Sequence, residues 1–186
     1  MNDLMKYFDE SISKEMKMIK YGSLIALKHS ATGKYLSSCD INYQTGVKNQ
    51  LIYAGNANID SNALWIISHP IKQKDEPLVY GGLFYLEHYK LNKHIFPDSD
   101  HNGPSGKYAQ VYCSGKINTY ALFYCISAAK TKDDNSLYVN TNDKINLKSR
   151  KQKYILRSHE STFDIDYEQF QEVVGHQDRI NGYDEV

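Results

Sequence analysis

The sequence predicts an all-β domain of three related units behind a short N-terminal helix. Two observations carry that expectation. From Tyr21 onward, strand-like stretches such as "GSLIALKH", "ALWIIS", "GGLFYLEH" and "ALFYCIS" alternate with loops rich in Gly, Asn and Asp. The chain also repeats itself. "YGSLIALKHSATGKYL" (21–36) aligns without gaps to "YGGLFYLEHYKLNKHI" (80–95), with Tyr, Gly, Leu, Leu, His and Lys identical at matching places. Sixteen Tyr against one Trp and 11 Gly suit strands better than a helical bundle.

Residues 1–19 are read as a helical extension. Leu4, Phe8, Ile12, Met16 and Ile19 recur at helical spacing, Asn2 or Asp3 can cap the start, and the apolar face is expected to pack on the side of the domain. Residues 20–186 then divide into units of about 20–72, 73–130 and 131–186. "KINLKSRKQKYIL" (144–156) supplies a weaker third copy: Leu86 follows Leu27 by 59 positions, and Leu147 follows Leu86 by 61. Each unit continues alike, with "QLIYAG" (50–55), "QVYCSG" (110–115) and "QEVVGH" (171–176). "AGNANIDSN", "PDSDHNGPSG" and "TKDDNS" are loops, where a binding surface is expected. Units too small to bury a core alone imply a closed threefold assembly. "ALW" and "ALF" begin the closing strands of the first two units, but after "NGYDEV" the third unit lacks its closing strand. An open edge exposes unpaired backbone and invites association, unless the N-terminal segment or a following domain covers it.

At 186 residues the chain is long enough for one domain with a real core, with no staple required. Lys and Arg total 22 and Asp and Glu total 22, a balance that argues against a generic nucleic-acid binder. Cys39, Cys113 and Cys125 leave at least one thiol unpaired and form no CxxC, so a reducing compartment fits better than a disulfide framework. Acidic residues interrupt the N-terminus, no secretory leader is visible and no run approaches a membrane span. The cytoplasm is the expected location, or the endoplasmic reticulum if a leader has been removed.

"LKH", "TGKYL", the central Gln strand and "NALW", in that order and repeated, resemble the MIR domain. That module is shared by protein O-mannosyltransferases, inositol trisphosphate receptors, ryanodine receptors and stromal-cell-derived-factor proteins. The resemblance covers about Lys20 to Val186 and is strongest in unit one. It implies a β-trefoil and a non-catalytic role, with a protein partner, an adjacent domain, a glycan or an inositol phosphate as the partner. The chain departs from the pattern where Ser149 replaces the histidine at positions 29 and 88, and where Lys153 replaces Gly33.

No spacing signature marks a catalytic centre, a metal site or a cofactor site. None of the seven His forms HExxH, and no P-loop, GxSxG or GxGxxG occurs. His29 and His88 occupy equivalent positions, which suits a structural role better than ligation. Candidate binding residues fall in three places. The motif of unit one offers His29, Thr32, Lys34 and Tyr35. Asp40 and Tyr43, near Gln50, have the aromatic and polar chemistry that sugars require. The basic run of unit three offers Lys148, Arg150, Lys151 and Arg157 to phosphate, although the acidic stretch that follows would neutralise it on a solvated surface. In that run, strand alternation places Lys144, Lys148 and Arg150 on one side and Leu147 inward.

Overall fold

The computed structural model describes residues 2–128, 136–177 and 185–186, and within its helix the side chains of residues 2–4 and 6–10 are not described. Of "TKDDNS" only Ser136, and of "NGYDEV" only Glu185 and Val186, fall among the described residues. The N-terminal helix, α1, spans Asn2–Lys17. At two of its described apolar positions the expected packing is not seen: Ile12 is 42% and Met16 79% exposed. Leu4 and Phe8 are among the helix side chains left undescribed. Ile19 lies beyond the helix, where its own backbone bonds to Val139 and Leu78 hold it against the core.

The rest of the described chain is mostly β-sheet. The strands are β1 (Leu24–Ile25), β2 (Leu36–Asn42), β3 (Gln50–Ala54), β4 (Trp65–Ser68), β5 (Leu83–His88) and β6 (Lys93–Asn102). There follow β7 (Ala109–Ser114), β8 (Phe123–Ser127), β9 (Ile145–Ser149), β10 (Ile155–Ile165) and β11 (Glu168–His176). Three long antiparallel hairpins, β2–β3, β6–β7 and β10–β11, each carry a register shift. Their second strands pair with one another in a closed cycle: Gln50 lies opposite Cys113, Gln110 opposite Val174, and Gln171 opposite Ala54. The hairpin registers make Gln50 and Gln171 equivalent in space, while in unit two Ala109 takes that position and Gln110 falls one residue further along the strand. All three glutamines are buried.

Strands β4 and β8 join neighbouring units. β4 lies between β1 and β5, and β8 between β5 and β9. Each is introduced by a short 3-10 turn, capped by Asp60 or Asn118, whose side-chain oxygen accepts a backbone N–H two residues on. The strands then bury alternate residues, as period-2 geometry requires: Trp65 and Ile67 face in, and so do Phe123 and Cys125. With Ile52, Phe84, Val111 and Val173 they form one core. Each large apolar side chain fully buried there contributes roughly 1.5–3 kcal/mol.

Candidate functional site

The motif of unit one is a corner built from its own side chains. The His29 N–H donates to Lys34 O, and the Gly33 N–H to His29 O. The His29 ring, 4% exposed, meets Thr32 Oγ1 at 2.8 Å through Nδ1. Lys34 and Tyr35 are half-buried, and Lys28 Nζ lies 5.6 Å from the centre of the Tyr35 ring. The equivalent corners repeat the device. Gly33, Asn92 and Lys153 all adopt left-handed backbone, with φ of 69°, 52° and 64°. In unit two the Leu91 N–H donates to His88 Nδ1, which leaves Nε2 to donate to Asn62 O. Burial depresses the pKa of His88, so the ring stays neutral, edge-on to Trp65. In unit three Ser149 Oγ accepts the Tyr154 N–H instead.

Asp40 and Tyr43 belong to the β2–β3 hairpin, away from that corner in the chain's path. Asp40 is exposed and accepts a 2.6 Å hydrogen bond from Gln50 Nε2. Tyr43 is 3% exposed, and its hydroxyl lies 3.0 Å from both Ile52 O and Val111 O. Its ring therefore packs in a small satellite core with Leu51 and Phe170 rather than facing solvent.

The basic run forms the β9–β10 hairpin. Leu147 is buried as the alternation requires, Arg150 and Lys151 are exposed, and Lys148 is half-buried. Asn146, on the side expected to be solvated, is buried as well, because β9 has strand partners on both edges. Among the described residues no carboxylate lies within ion-pair distance of Lys148, Arg150 or Lys151. The acidic stretch lies on the β10–β11 hairpin, where Asp166 accepts from Gln44. Arg157 sits further along β10, with its guanidinium 6.0 Å from the centre of the Tyr108 ring.

Next to Arg157 is a group that sequence reasoning missed. Glu172, 1% exposed, stands where the hairpin registers put Leu51 in unit one and Gln110 in unit two, both buried. One carboxylate oxygen accepts the Ser105 N–H at 2.9 Å, and the other lies 3.1 Å from His159 Nε2. Gly103 is forced by this contact, since a Cβ there would stand 2.7 Å from the carboxylate. Burial pushes the pKa of Glu172 up, but the bonds from His159 and Ser105 outweigh it and hold the carboxyl below its usual value. The sequence signal was a carboxylate directly after the recurring Gln, where units one and two have Leu51 and Val111. Its effect is to tie the 103–105 loop to β11.

An apolar opening lies elsewhere. A groove of about 640 Å³ runs between the β1 segment and β9, floored by Leu27, Ile67, Leu86, Cys125 and Leu147 and edged by Val186. Val186 exchanges both backbone hydrogen bonds with Ile145, and Glu185 O accepts the Ser30 N–H. Leu64 O and Leu122 O accept in the same way from Tyr89 and Arg150. Glu185 and Val186 thus stand where Leu64–Trp65 and Leu122–Phe123 stand, and the groove is the course those strands take next.

Reactive chemistry is scarce among the described residues. The Cys113 and Cys125 thiols are buried, which pushes their pKa up to about 12 and keeps them protonated. Among those residues no three His, Cys, Asp or Glu side chains form a group suited to a metal ion. Nor is any helix long and apolar enough to cross a membrane.

No family model and no curated protein matches the chain. Solved structures do. An SDF2-like protein from Arabidopsis thaliana superposes with a TM-score of 0.79 at 23% identity, over 90% of this chain and 92% of that one. A Caenorhabditis elegans protein with unknown function gives 0.80 at 19% identity, over 91% and 94%. The fold is shared. A chain of the S. cerevisiae protein O-mannosyltransferase Pmt1-Pmt2 complex bound to the sugar donor gives 0.79 at 20% identity, over 91% of this chain but 25% of that one. The first and third come from groups whose shared module the sequence resembles. Identities this low establish a common fold, which other sequences carry both as nearly a whole chain and as a quarter of one.

Proposed function

We propose that the chain is a non-catalytic MIR-type module that docks a protein partner within a larger assembly. In this reading residues 20–186 form a β-trefoil of three units, about 20–72, 73–130 and 131–186, behind the 1–19 extension. The cyclic pairing of β3, β7 and β11 supports the trefoil. The observation that carries docking is the groove of unit one, an apolar opening on the fold's surface, floored by Leu27, Ile67, Leu86 and Leu147 among the described residues.

A second reading places an inositol phosphate on the β9–β10 hairpin. It rests on Lys148, Arg150 and Lys151, cations with no carboxylate partner among the described residues. A glycan ligand would use the exposed side of the Asp40–Gln50 hairpin instead. Thermal-shift titrations against inositol phosphates, mannosides and mannosylated peptides, at two salt concentrations, separate the three, because a ligand of the native state raises the melting temperature. Docking predicts no shift at millimolar ligand. A salt-sensitive shift with inositol phosphates, abolished by charge reversal at Arg150 and Lys151, would move the function to the basic hairpin. A salt-insensitive shift with mannosides would move it to the glycan reading.

A further inference from the structure

We infer that the chain associates head to tail with a second copy of itself. The tip of the β10–β11 hairpin of one copy seats Tyr167 and its flanking carboxylates on the basic β9–β10 corner of the next. The inference concerns a different surface from the groove and stands independently of the docking reading above. It begins at the tip. Ile165 lies opposite Glu168, so Asp166 and Tyr167 form a two-residue turn, and both are left-handed, with φ of 48° and 72°. That turn favours Asn-Gly, because a Cβ strains left-handed backbone. The tips of the other two hairpins follow the rule, with Gly46 and Gly106 at left-handed positions of φ 67° and 73°. Unit three instead puts an aromatic side chain there and gives it nothing to pack on: Tyr167 is 107% exposed. The fold gains nothing from the ring and is strained by the backbone beneath it, which marks a residue kept for a contact.

Charge identifies the surface that the tip meets. Asp164, Asp166 and Glu168 are exposed around Tyr167, and no cation among the described residues lies within ion-pair distance of them. Asp166 accepts from the neutral Gln44 side chain. The corner is the converse. Arg150, Lys151 and Lys153 are exposed, Lys148 is half-buried, and none has a carboxylate partner among those residues. Lys144 stands outside this set, since it faces Glu185 at 4.0 Å. The sequence pattern suggests that the basic run and the acidic stretch neutralise each other, but the fold holds them apart. The 11 residues of β10, Ile155–Ile165, run from the corner to the tip, roughly 30 Å at a strand's rise per residue. Complementary charges kept apart within one chain are free to meet between two. The corner also suits an aromatic ring. The Arg150 N–H bonds Leu122 O, at the end of the 3-10 turn that exposes Tyr120. An arginine placed there takes a further ring by stacking or cation–π contact. Tip and corner are different patches, so the contact is heterologous and leaves each dimer with one of each free to extend.

Sedimentation velocity of the full chain, at concentrations up to about 500 μM, suits a small, charged contact. The expected result is association at about 20 mM salt that is lost at about 500 mM, where screening shortens the reach of charge to a few ångströms. Two double variants divide the surface. Tyr167→Gly with Glu168→Gln removes the tip, and Arg150→Gln with Lys151→Gln removes the corner. Each alone weakens association at least about tenfold. Tyr167→Gly by itself leaves the melting temperature unchanged or higher, because it relieves the left-handed strain, so loss of association is not loss of the fold. An equimolar mixture of the two double variants recovers a species the size of a dimer and none larger, since one intact tip and one intact corner remain to pair. Monomer at every concentration in low salt overturns the inference. So does association that persists in high salt or in both variants, and so does a mixture that stays monomeric.

Discussion

Gly33 and Lys153 hold the same left-handed conformation at equivalent corners, yet one is the residue suited to it and the other is not. A Cβ on Gly33 would meet only Lys28 Cε at 3.8 Å, so Gly33→Ala tests the backbone alone. It should cost about 1 kcal/mol, while Lys153→Gly, at an exposed position, should gain about 0.5–1 kcal/mol. Urea unfolding of both variants measures this. Glu172 gives a second prediction at this scale. Glu172→Gln keeps an acceptor for the Ser105 N–H but loses the charge facing His159, and should cost about 1–3 kcal/mol at neutral pH. Because the carboxyl is held below its ordinary value of 4.5, its contribution is complete above that value and is lost as pH falls through the folded pKa. His88 is depressed from 6.5 by burial, so its contribution is complete above 6.5 and is likewise lost on acidification. Stability should therefore decline in two stages below about pH 6.5, and Glu172→Gln should flatten only the more acidic stage. Melting temperatures from pH 7 to pH 3 distinguish the two.

Among the elements, the hairpin corners were the most legible. A polar side chain to bond the turn recurs at each of them, His29, His88 or Ser149, and a residue tolerant of positive φ follows in units one and two, Gly33 and Asn92, though not in unit three. The recurring glutamines were legible as a sequence pattern, but the hairpin registers make only Gln50 and Gln171 equivalent, and Gln110 falls one residue further along its strand. Helix α1 was legible only in part. Periodicity identifies an apolar face but not what covers it, and at Ile12 and Met16 nothing among the described residues does. Ile12→Ser and Met16→Ser should each change stability by less than about 0.5 kcal/mol in denaturant titrations. A face packed on the domain, as the sequence pattern suggests, would cost several times more. Glu172 escaped notice because its partners, His159 and Ser105, lie 13 and 67 residues away, and only folding brings them together.

At the scale of the molecule, strands β4 and β8 hold adjacent units together, and among the described residues Glu185 and Val186 stand at the start of the third such position. What was not visible in the sequence is how the backbone of 26–29 is bonded, since that depends on register and on which way each peptide group turns. No hydrogen bond among the described residues reaches the N–H of Ala26 or Lys28. Native-state hydrogen exchange of the free chain tests this most directly. The Ala26 and Lys28 amides should exchange rapidly, while those of Glu87 and Lys148 at the equivalent positions, opposite Ile66 and Tyr124, exchange slowly. Comparable protection at all four would contradict the account, because it would mean that the edge of unit one is already closed.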